Sequence, residues 1–347
     1  MIEVNPLELW PARPDDIQGF CNGRIPGAGE YMSYSRMKHL IKSPGHYHQR
    51  YILDIQTEKT RDMRIGELID LALLGTGEFR KNFVMEPQKE RYKELLENKG
   101  GLLDTKAKIQ AECRKLRILV EGTVADMEKR LLKHDNDVYS RRLWSSIWKK
   151  FQRGVSEETI VLKATEADTI TAMVKALGEH PVAYKLLSKG HSQVHTYAWD
   201  KELGVLWYGI LDYIRVLQDK KGDYHIWLSE LKSTKNASPW GFPKEIDEYA
   251  YHIQIWVYVR MITLITGIRP RSIIVAVEKK VPVGITLNDL DDRTMETARD
   301  QVKDALEAYR TGKLTNKWPV YPEVIRKTGL PNYALYRIEE NLTENLS

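Results

Sequence analysis

The chain has 347 residues, 42% hydrophobic and 29% charged, with a formal net charge of +5 and a pI near 8.9. That describes a folded globular chain with room for one large domain or two smaller ones, and its mild basicity permits a nucleic-acid partner without demanding one. It excludes several classes. No apolar run reaches the eighteen or so residues of a membrane span. Cys21 and Cys113 are too few for a four-cysteine zinc or iron–sulfur centre and read as free thiols of a reducing cytoplasm. The acidic, Pro-rich start MIEVNPLELWPARPDD lacks the basic-then-apolar order of a secretory signal.

The first third reads as helices. In YMSYSRMKHLIKSPGHY, Ser33 or Ser35 can cap one helix, and Ser43-Pro44 has the cap-then-proline order that starts the next. RDMRIGELIDLALLG puts Ile65, Leu68, Ile69 and Ala72 on one helical face, with Gly75 as its stop. From about Glu86 to Gly154 charge is dense and the helical patterns are short, which predicts a helical module inserted into a core that closes around it. Two more helices follow in TEADTITAMVKALGE and HPVAYKLLSKG. Strand patterns then begin in SQVHTYAWD, GVLWYGILDYIRVLQ and DYHIWLSELKS. A helix is predicted over DEYAYHIQIWVYVRMITLITG, then strands RSIIVAVE and VPVGITL. A last amphipathic helix, LDDRTMETARDQVKDALEAYRTGK, has Gly312 past its end. This order predicts a mixed α/β core, a central mixed sheet flanked by helices. The expected divisions are 1–85 (helical part of the core), 86–155 (inserted module) and 156–347 (the core with its hairpin).

Asp212 and Glu230 stand inside otherwise apolar strand patterns. If the two runs form a hairpin closed by DKKGD, Gln218 pairs with Tyr224 and Asp212 falls opposite Glu230. Opposed residues have Cβ atoms about 4.5–5.5 Å apart. Two carboxylates that close in an apolar sheet repel and are poorly solvated. A shared proton or a divalent cation would offset the repulsion. Lys232, on the same face as Glu230, adds an ammonium that can steady developing negative charge. Cation, activated water and ammonium are what phosphodiester hydrolysis needs. A hairpin whose Asp and Glu simply face water remains the alternative reading of these residues.

Four stretches together resemble the PD-(D/E)XK nuclease superfamily, and more narrowly its RecE-type exonuclease VIII group, relatives of the RecB nuclease domain. GILDYI carries Asp212. SELKST carries Glu230 and Lys232. YHIQIWVY carries Gln254 and Tyr258, with Tyr251 upstream. SYSRMKHLIKSPGHY is similar to the family's Ser-Pro helix start, and the tail KWPVYPEVIRKTGLPNYAL to its closing segment. The resemblance implies a restriction-endonuclease-like core in which Asp212, Glu230 and the Leu231 carbonyl hold Mg²⁺, with Mn²⁺ as a substitute. Lys232 would position the attacking water. Gln254 and Tyr258 would orient the scissile strand, and Tyr251, Ser233, Thr234 and Lys235 would contact DNA. The family's metal-site histidine helix, G-x-x-x-H, reads GELID here, so Asp70 takes that place and a three-carboxylate site is expected.

Within the module, AECRKLRILVEGTVADMEKRLLK resembles a SAP-type DNA-binding helix pair through Gly122, Asp126, Met127, Arg130 and Leu131, with Val124 where that motif has a lysine. SRRLWSSIWKKFQRG mixes Arg141, Arg142, Lys149 and Lys150 with Trp144 and Trp148, so Arg130, Arg141 and Lys149 join the DNA-binding candidates. A solvated amphipathic helix pair is the alternative. No P-loop and no G-x-S-x-G motif occurs, and His46 and His48 have no third ligand nearby in sequence. The resemblance implies a metal-dependent exonuclease of phage or prophage type. It would digest linear double-stranded DNA from the 5′ end in a bacterial cytoplasm, as a homo-oligomer serving an annealing protein or recombinase. A DNA-end-binding protein with a degenerate site, and a structure-selective endonuclease, are the competing readings.

Overall fold

The computed structural model describes residues 1–13, 17–25, 30–55, 60–74, 83–156, 159–321, 323–325 and 327–329. In chain order the elements begin with β1 (Ile2–Val4), α1 (Pro6–Leu9), β2 (Gly19–Cys21), α2 (Tyr34–Lys42), α3 (Pro44–Tyr47) and α4 (Arg61–Leu73). The module follows β3 (Phe83–Met85) and contains α5 (Lys89–Leu96), α6 (Lys106–Lys115), α7 (Val124–His134), α8 (Asn136–Arg142) and α9 (Trp144–Arg153). Then come β4 (Ile160–Leu162), α10 (Ala164–Glu179), α11 (Pro181–Leu187), β5 (His191–Asp200), β6 (Val205–Gln218) and β7 (Tyr224–Thr234). The chain continues with α12 (Phe242–Glu248), α13 (Tyr251–Thr266), β8 (Arg271–Glu278), β9 (Ile285–Asn288) and α14 (Asp292–Thr315).

The main sheet runs β2-β5-β6-β7-β8-β9, with β1 joining the far end of β6. Its pairs are antiparallel except β7 with β8, which α13 connects as a parallel crossover. Each face of the sheet buries a separate apolar layer. On one, Ile214, Ile226 and Leu228 pack with Ile253, Val257 and Met261 of α13, Val302 and Leu306 of α14, and Met37 and Leu40 of α2. On the other, Leu231, Ile273 and Val275 pack with Leu68 and Ile69 of α4 and Ile170 and Met173 of α10. The expected mixed α/β core is therefore present.

The helix starts follow the local chemistry. Ser33 and Ser43 accept hydrogen bonds from the Arg36 and His46 N–H groups at 3.3 and 3.1 Å, as the cap residues predict. Other expectations change. Short strands β1 to β4, which have too few residues to show a period, were not expected. The helix predicted from Asp247 to Gly267 is two helices, because Ala250 takes a left-handed conformation (φ 57°) between α12 and α13. Gly312 does not end the last helix. It lies inside α14 against Trp318, whose ring a Cβ there would meet at 2.7 Å, and the helix stops at left-handed Asn316. Gly75 and the LPNYAL end of the tail lie outside the described residues.

The module has a core of its own: Leu103, Ile109, Cys113, Met127, Leu131, Tyr139 and Leu143, beside a smaller cluster of Leu96, Leu102 and Ile147. Strands β3 and β4, which bracket it, pair in parallel, so its two ends are zipped together at the edge of the main core.

Candidate active site

The hairpin register is the one the turn length predicts. Gln218 pairs with Tyr224, and the ladder runs back to Tyr213 opposite Ser229. The loop is held by Asp219, whose Oδ1 accepts from the N–H groups of Lys221 (2.8 Å) and Asp223 (3.1 Å). Beyond Tyr213 the regular ladder stops, while β6 stays paired with β5 and β7 with β8 on their outer sides. Side chains take over at that point. The Asp212 N–H donates to Glu230 Oε1 at 3.2 Å, and the Leu231 N–H donates to Asp212 Oδ2 at 2.9 Å. The two carboxylates thus satisfy backbone groups that would otherwise be orphaned where the hairpin opens.

Glu230 is fully buried. Burial, and then the charge of Asp212, push its carboxyl well above the usual range. The Lys232 ammonium stands 3.4 Å from Glu230 Oε2 and 3.8 Å from Asp212 Oδ2. Burial alone would weaken its charge, but Asp212, Glu230 and Asp70 outweigh that and hold it protonated. The solvated-hairpin alternative is thereby excluded.

Helix α13 supplies the roof. Gln254 Nε2 donates to Glu230 Oε2 at 2.8 Å and lies 3.4 Å from the Tyr258 hydroxyl. Both side chains are buried. Gln254 is thus turned toward Glu230, and Tyr258 toward Gln254. The Tyr258 ring fits because residue 209 is glycine: a Cβ there would meet Tyr258 Cε1 at 2.6 Å. Tyr251 receives Lys232 on its ring, Nζ at 5.3 Å from the centroid, and burial raises its hydroxyl to about 12.

Asp70 approaches from α4. Burial first, then the Asp212 charge, raise its carboxyl to about 7. Its Oδ1 is buried with no hydrogen-bond partner among the described residues. Among those residues no three His, Cys, Asp or Glu side chains already form a metal cluster, and Lys232 lies between the two hairpin carboxylates. The donors nonetheless suit a hard cation. An orphaned Asp70 oxygen, the buried Glu230 carboxyl with the Asp212 carboxylate beside it, and an all-oxygen donor set are the chemistry Mg²⁺ or Mn²⁺ requires.

Sequence reasoning missed Tyr34 and Lys38 of α2, which local patterns cannot bring here from some two hundred residues away. The Tyr34 hydroxyl donates to the Tyr249 carbonyl at 2.6 Å, and its own ionisation is resisted by burial and influenced by Lys232. Lys38 Nζ sits 5.1 Å from the Tyr249 ring.

Several expected DNA contacts have other partners. Thr234 is buried, donates to Glu245 Oε1 at 2.6 Å and accepts the Asn236 N–H at 3.0 Å. It therefore shapes the following loop. Ser233 is half-buried and Lys235 exposed. In the module, Arg130 donates to the carbonyls of Leu119 (2.9 Å) and Glu121 (2.6 Å), stapling the turn before α7. Asp126 forms the capping box of α7 with Thr123. Arg142 is buried, paired with Glu112 at 2.7 Å and bonded to the Gly100 and Gly101 carbonyls. Arg141 is exposed and paired with Asp137 at 2.7 Å, and Lys149 is exposed.

A mixed sheet whose opened hairpin presents an aspartate, a glutamate and a lysine two residues later defines a PD-(D/E)XK-type nuclease fold. The chain belongs to the family described as PDDEXK-like domain of unknown function (DUF3799), whose model matches residues 137–328, more than half of the sequence. The matched span holds Asp212, Glu230, Lys232 and Gln254, begins within α8 of the module, and leaves out Asp70 and α2. Among solved structures, the chain is similar to a "Putative exonuclease" from Eubacterium rectale at 13% identity and a TM-score of 0.49, covering 88% of this chain and 92% of that one. No curated protein matches it.

Proposed function

We propose that this protein is a divalent-metal-dependent exonuclease that degrades linear double-stranded DNA from its ends, in the 5′ to 3′ direction. The observation that carries the nuclease reading is the buried Glu230 beside the half-buried Asp212, with Lys232 between them at the opening of the hairpin. The resemblance to the exonuclease VIII group supports end dependence, polarity and a homo-oligomer. It also supports a phage-type recombination setting in which the single strand left behind passes to an annealing protein or recombinase.

Asp70, Asp212 and Glu230, with the Leu231 carbonyl, would hold Mg²⁺ or Mn²⁺. When bound, the ion supplies an acidified water and a Lewis acid for the phosphate. The residues themselves do the rest. Lys232, kept charged by its carboxylate neighbours, neutralises negative charge building on the phosphate oxygens. Tyr251 limits where that ammonium can point. Gln254 fixes the rotamer of Glu230, and Tyr258 backs Gln254. The described residues contain no helix long and apolar enough to cross a membrane.

The test incubates linear and closed-circular plasmid with the protein in Mg²⁺ or EDTA. The proposal expects loss of linear DNA alone, only with Mg²⁺, and none with Glu230→Gln. Cutting of the circle would select the endonuclease. Binding of ends without digestion would select the degenerate end-binding protein.

A further inference from the structure

The loop that follows the site strand holds a tryptophan the chemistry above does not use. Trp240 is 83% exposed and, among the described residues, takes part in no ring pair and belongs to neither apolar layer. The loop beneath it is tightly built. Thr234 is bonded to Glu245, and the Asn236 N–H to Thr234 Oγ1 at 3.0 Å. The Ala237 N–H reaches Glu278 Oε1 at 2.9 Å, while the Ala237 carbonyl accepts from Thr286 at 2.7 Å. The Ser238 N–H donates to Asn236 Oδ1 (3.0 Å), and the Gly241 N–H to Ser238 Oγ (3.1 Å). Such a network fixes the backbone on both sides of an indole left in water, where its apolar surface gains nothing for folding.

The loop is also coupled to the reacting groups. Two residues on, which is at most about 7 Å of chain, Phe242 is buried and stacks on Tyr251 with centroids 6.2 Å apart and planes at 28°. Tyr251 is the ring that holds Lys232. Tyr249, 39% exposed, lies 5.6 Å from Tyr251 and carries Lys38 over its face. Lys235 and Lys244 flank the tryptophan in sequence and are exposed; of the acidic residues, Glu245 in the first turn of α12 is held by Thr234, and Asp247 and Glu248 stand toward the far end.

The geometry points to Trp240 as a nucleobase-stacking subsite beside the active site: a rigidly mounted indole that takes an unpaired base of the strand whose phosphate lies at Lys232. This rests on the nuclease reading and deepens it. A DNA end must unpair before one strand can enter the opened hairpin, and a fixed aromatic face replaces the stacking the base gives up. Every base has a π-face, so the subsite is indifferent to sequence, as an enzyme working along DNA requires.

The test compares wild type, Trp240→Ala and Trp240→Phe on linear duplexes with fully paired ends and with two mismatched terminal pairs. Trp240→Ala should slow digestion of paired ends about tenfold, within the worth of one base–aromatic stack, and affect mismatched ends about twofold or less. Trp240→Phe should restore most of the rate. Equal effects on both ends, or none, would overturn the assignment. So would a change in oligomer mass with Trp240→Ala, which would place the indole in a subunit interface. A separate readout needs no cleavage: 2-aminopurine at the terminal position, with the protein in EDTA. Quenching by wild type that Trp240→Ala loses supports the subsite even if no digestion is found, and identical quenching refutes it even if digestion is robust.

Discussion

Arg260→Met tests how α13, which carries Gln254 and Tyr258, is held in place. Asp200, the last residue of β5, is fully buried. It receives Arg260 through Nε at 2.8 Å and Nη2 at 2.9 Å, the Glu202 and Leu203 N–H groups at 3.1 and 3.2 Å, and Trp207 Nε1 at 3.4 Å. Breaking a buried pair by removing one partner costs about 3–5 kcal/mol. Here Asp200 keeps two backbone donors and Arg260 is partly solvated, which lowers the expected loss to about 2–3 kcal/mol. The pH dependence is the sharper test. Burial works to raise the Asp200 carboxyl, but Arg260 and the Leu203 N–H win and hold it below the ordinary range. A depressed carboxyl contributes stability that is present above its unfolded value of about 3.9 and is lost as pH falls through its lower folded value. Urea unfolding followed by circular dichroism should therefore show the full difference between wild type and variant at pH 7. The gap should narrow from pH 5 toward pH 3, as the variant's Asp200 protonates. Asp200→Asn in the Arg260→Met background should recover part of the loss. A difference that is constant with pH, or smaller than about 0.5 kcal/mol, refutes the reasoning.

Glu230→Gln should abolish digestion and flatten the pH dependence of the metal-free protein's stability, measured by urea unfolding in EDTA. A raised carboxyl binds its proton more tightly in the folded state, so wild-type stability falls as pH rises above about 4.3, and the variant should lack that slope. Gly209→Ala would push a methyl into the Tyr258 ring. It should cost about 1–3 kcal/mol of stability and lower kcat on the order of tenfold or more, with steady-state kinetics and thermal melting as the checks. Replacing residues 88–157 by a short Gly-Ser linker should leave a core that still melts cooperatively, because the module's buried clusters are its own and β3 and β4 hold the junction together. A chain that fails to fold would show that the module is part of the core.

The site was legible where chemistry is local to the strands. Asp212, Glu230 and Lys232 are conspicuous because charge inside an apolar strand pattern is costly, and the loop length fixed their register. Gln254 and Tyr258 came from the family resemblance, and nothing local to α13 announces that Gln254 turns toward Glu230. Ala250 hid a helix break, because nothing in its side chain announces a left-handed backbone. Gly312 misled for the opposite reason: glycine signals a helix end and also a close approach, and only the tail residue Trp318 decides which. Tyr34 and Lys38 reach the site through tertiary packing alone. The SAP-like reading relied on Asp126 and Arg130, which the structure uses to cap and staple α7. A helix-start signature and a DNA-binding signature can share the same residues.

The opening of the hairpin links stability to activity. A continuous ladder past Tyr213 would satisfy the backbone without carboxylates and leave no cleft. Here the Asp212 and Glu230 side chains receive the backbone N–H groups instead, so the same oxygens that suit a cation also hold the splayed strands in place. Glu230 turns its other oxygen, Oε2, toward Lys232, while Asp212 shares Oδ2 between the Leu231 N–H and the ammonium. The ammonium offsets their repulsion, which lets the fold hold a buried and a half-buried carboxyl side by side. The Asp219 loop at the hairpin tip is then as much a determinant of the site as the carboxylates. A slip of one residue there would carry Asp212 to the opposite face of the sheet, out of reach of the Glu230 and Leu231 backbone and side-chain partners that hold it now.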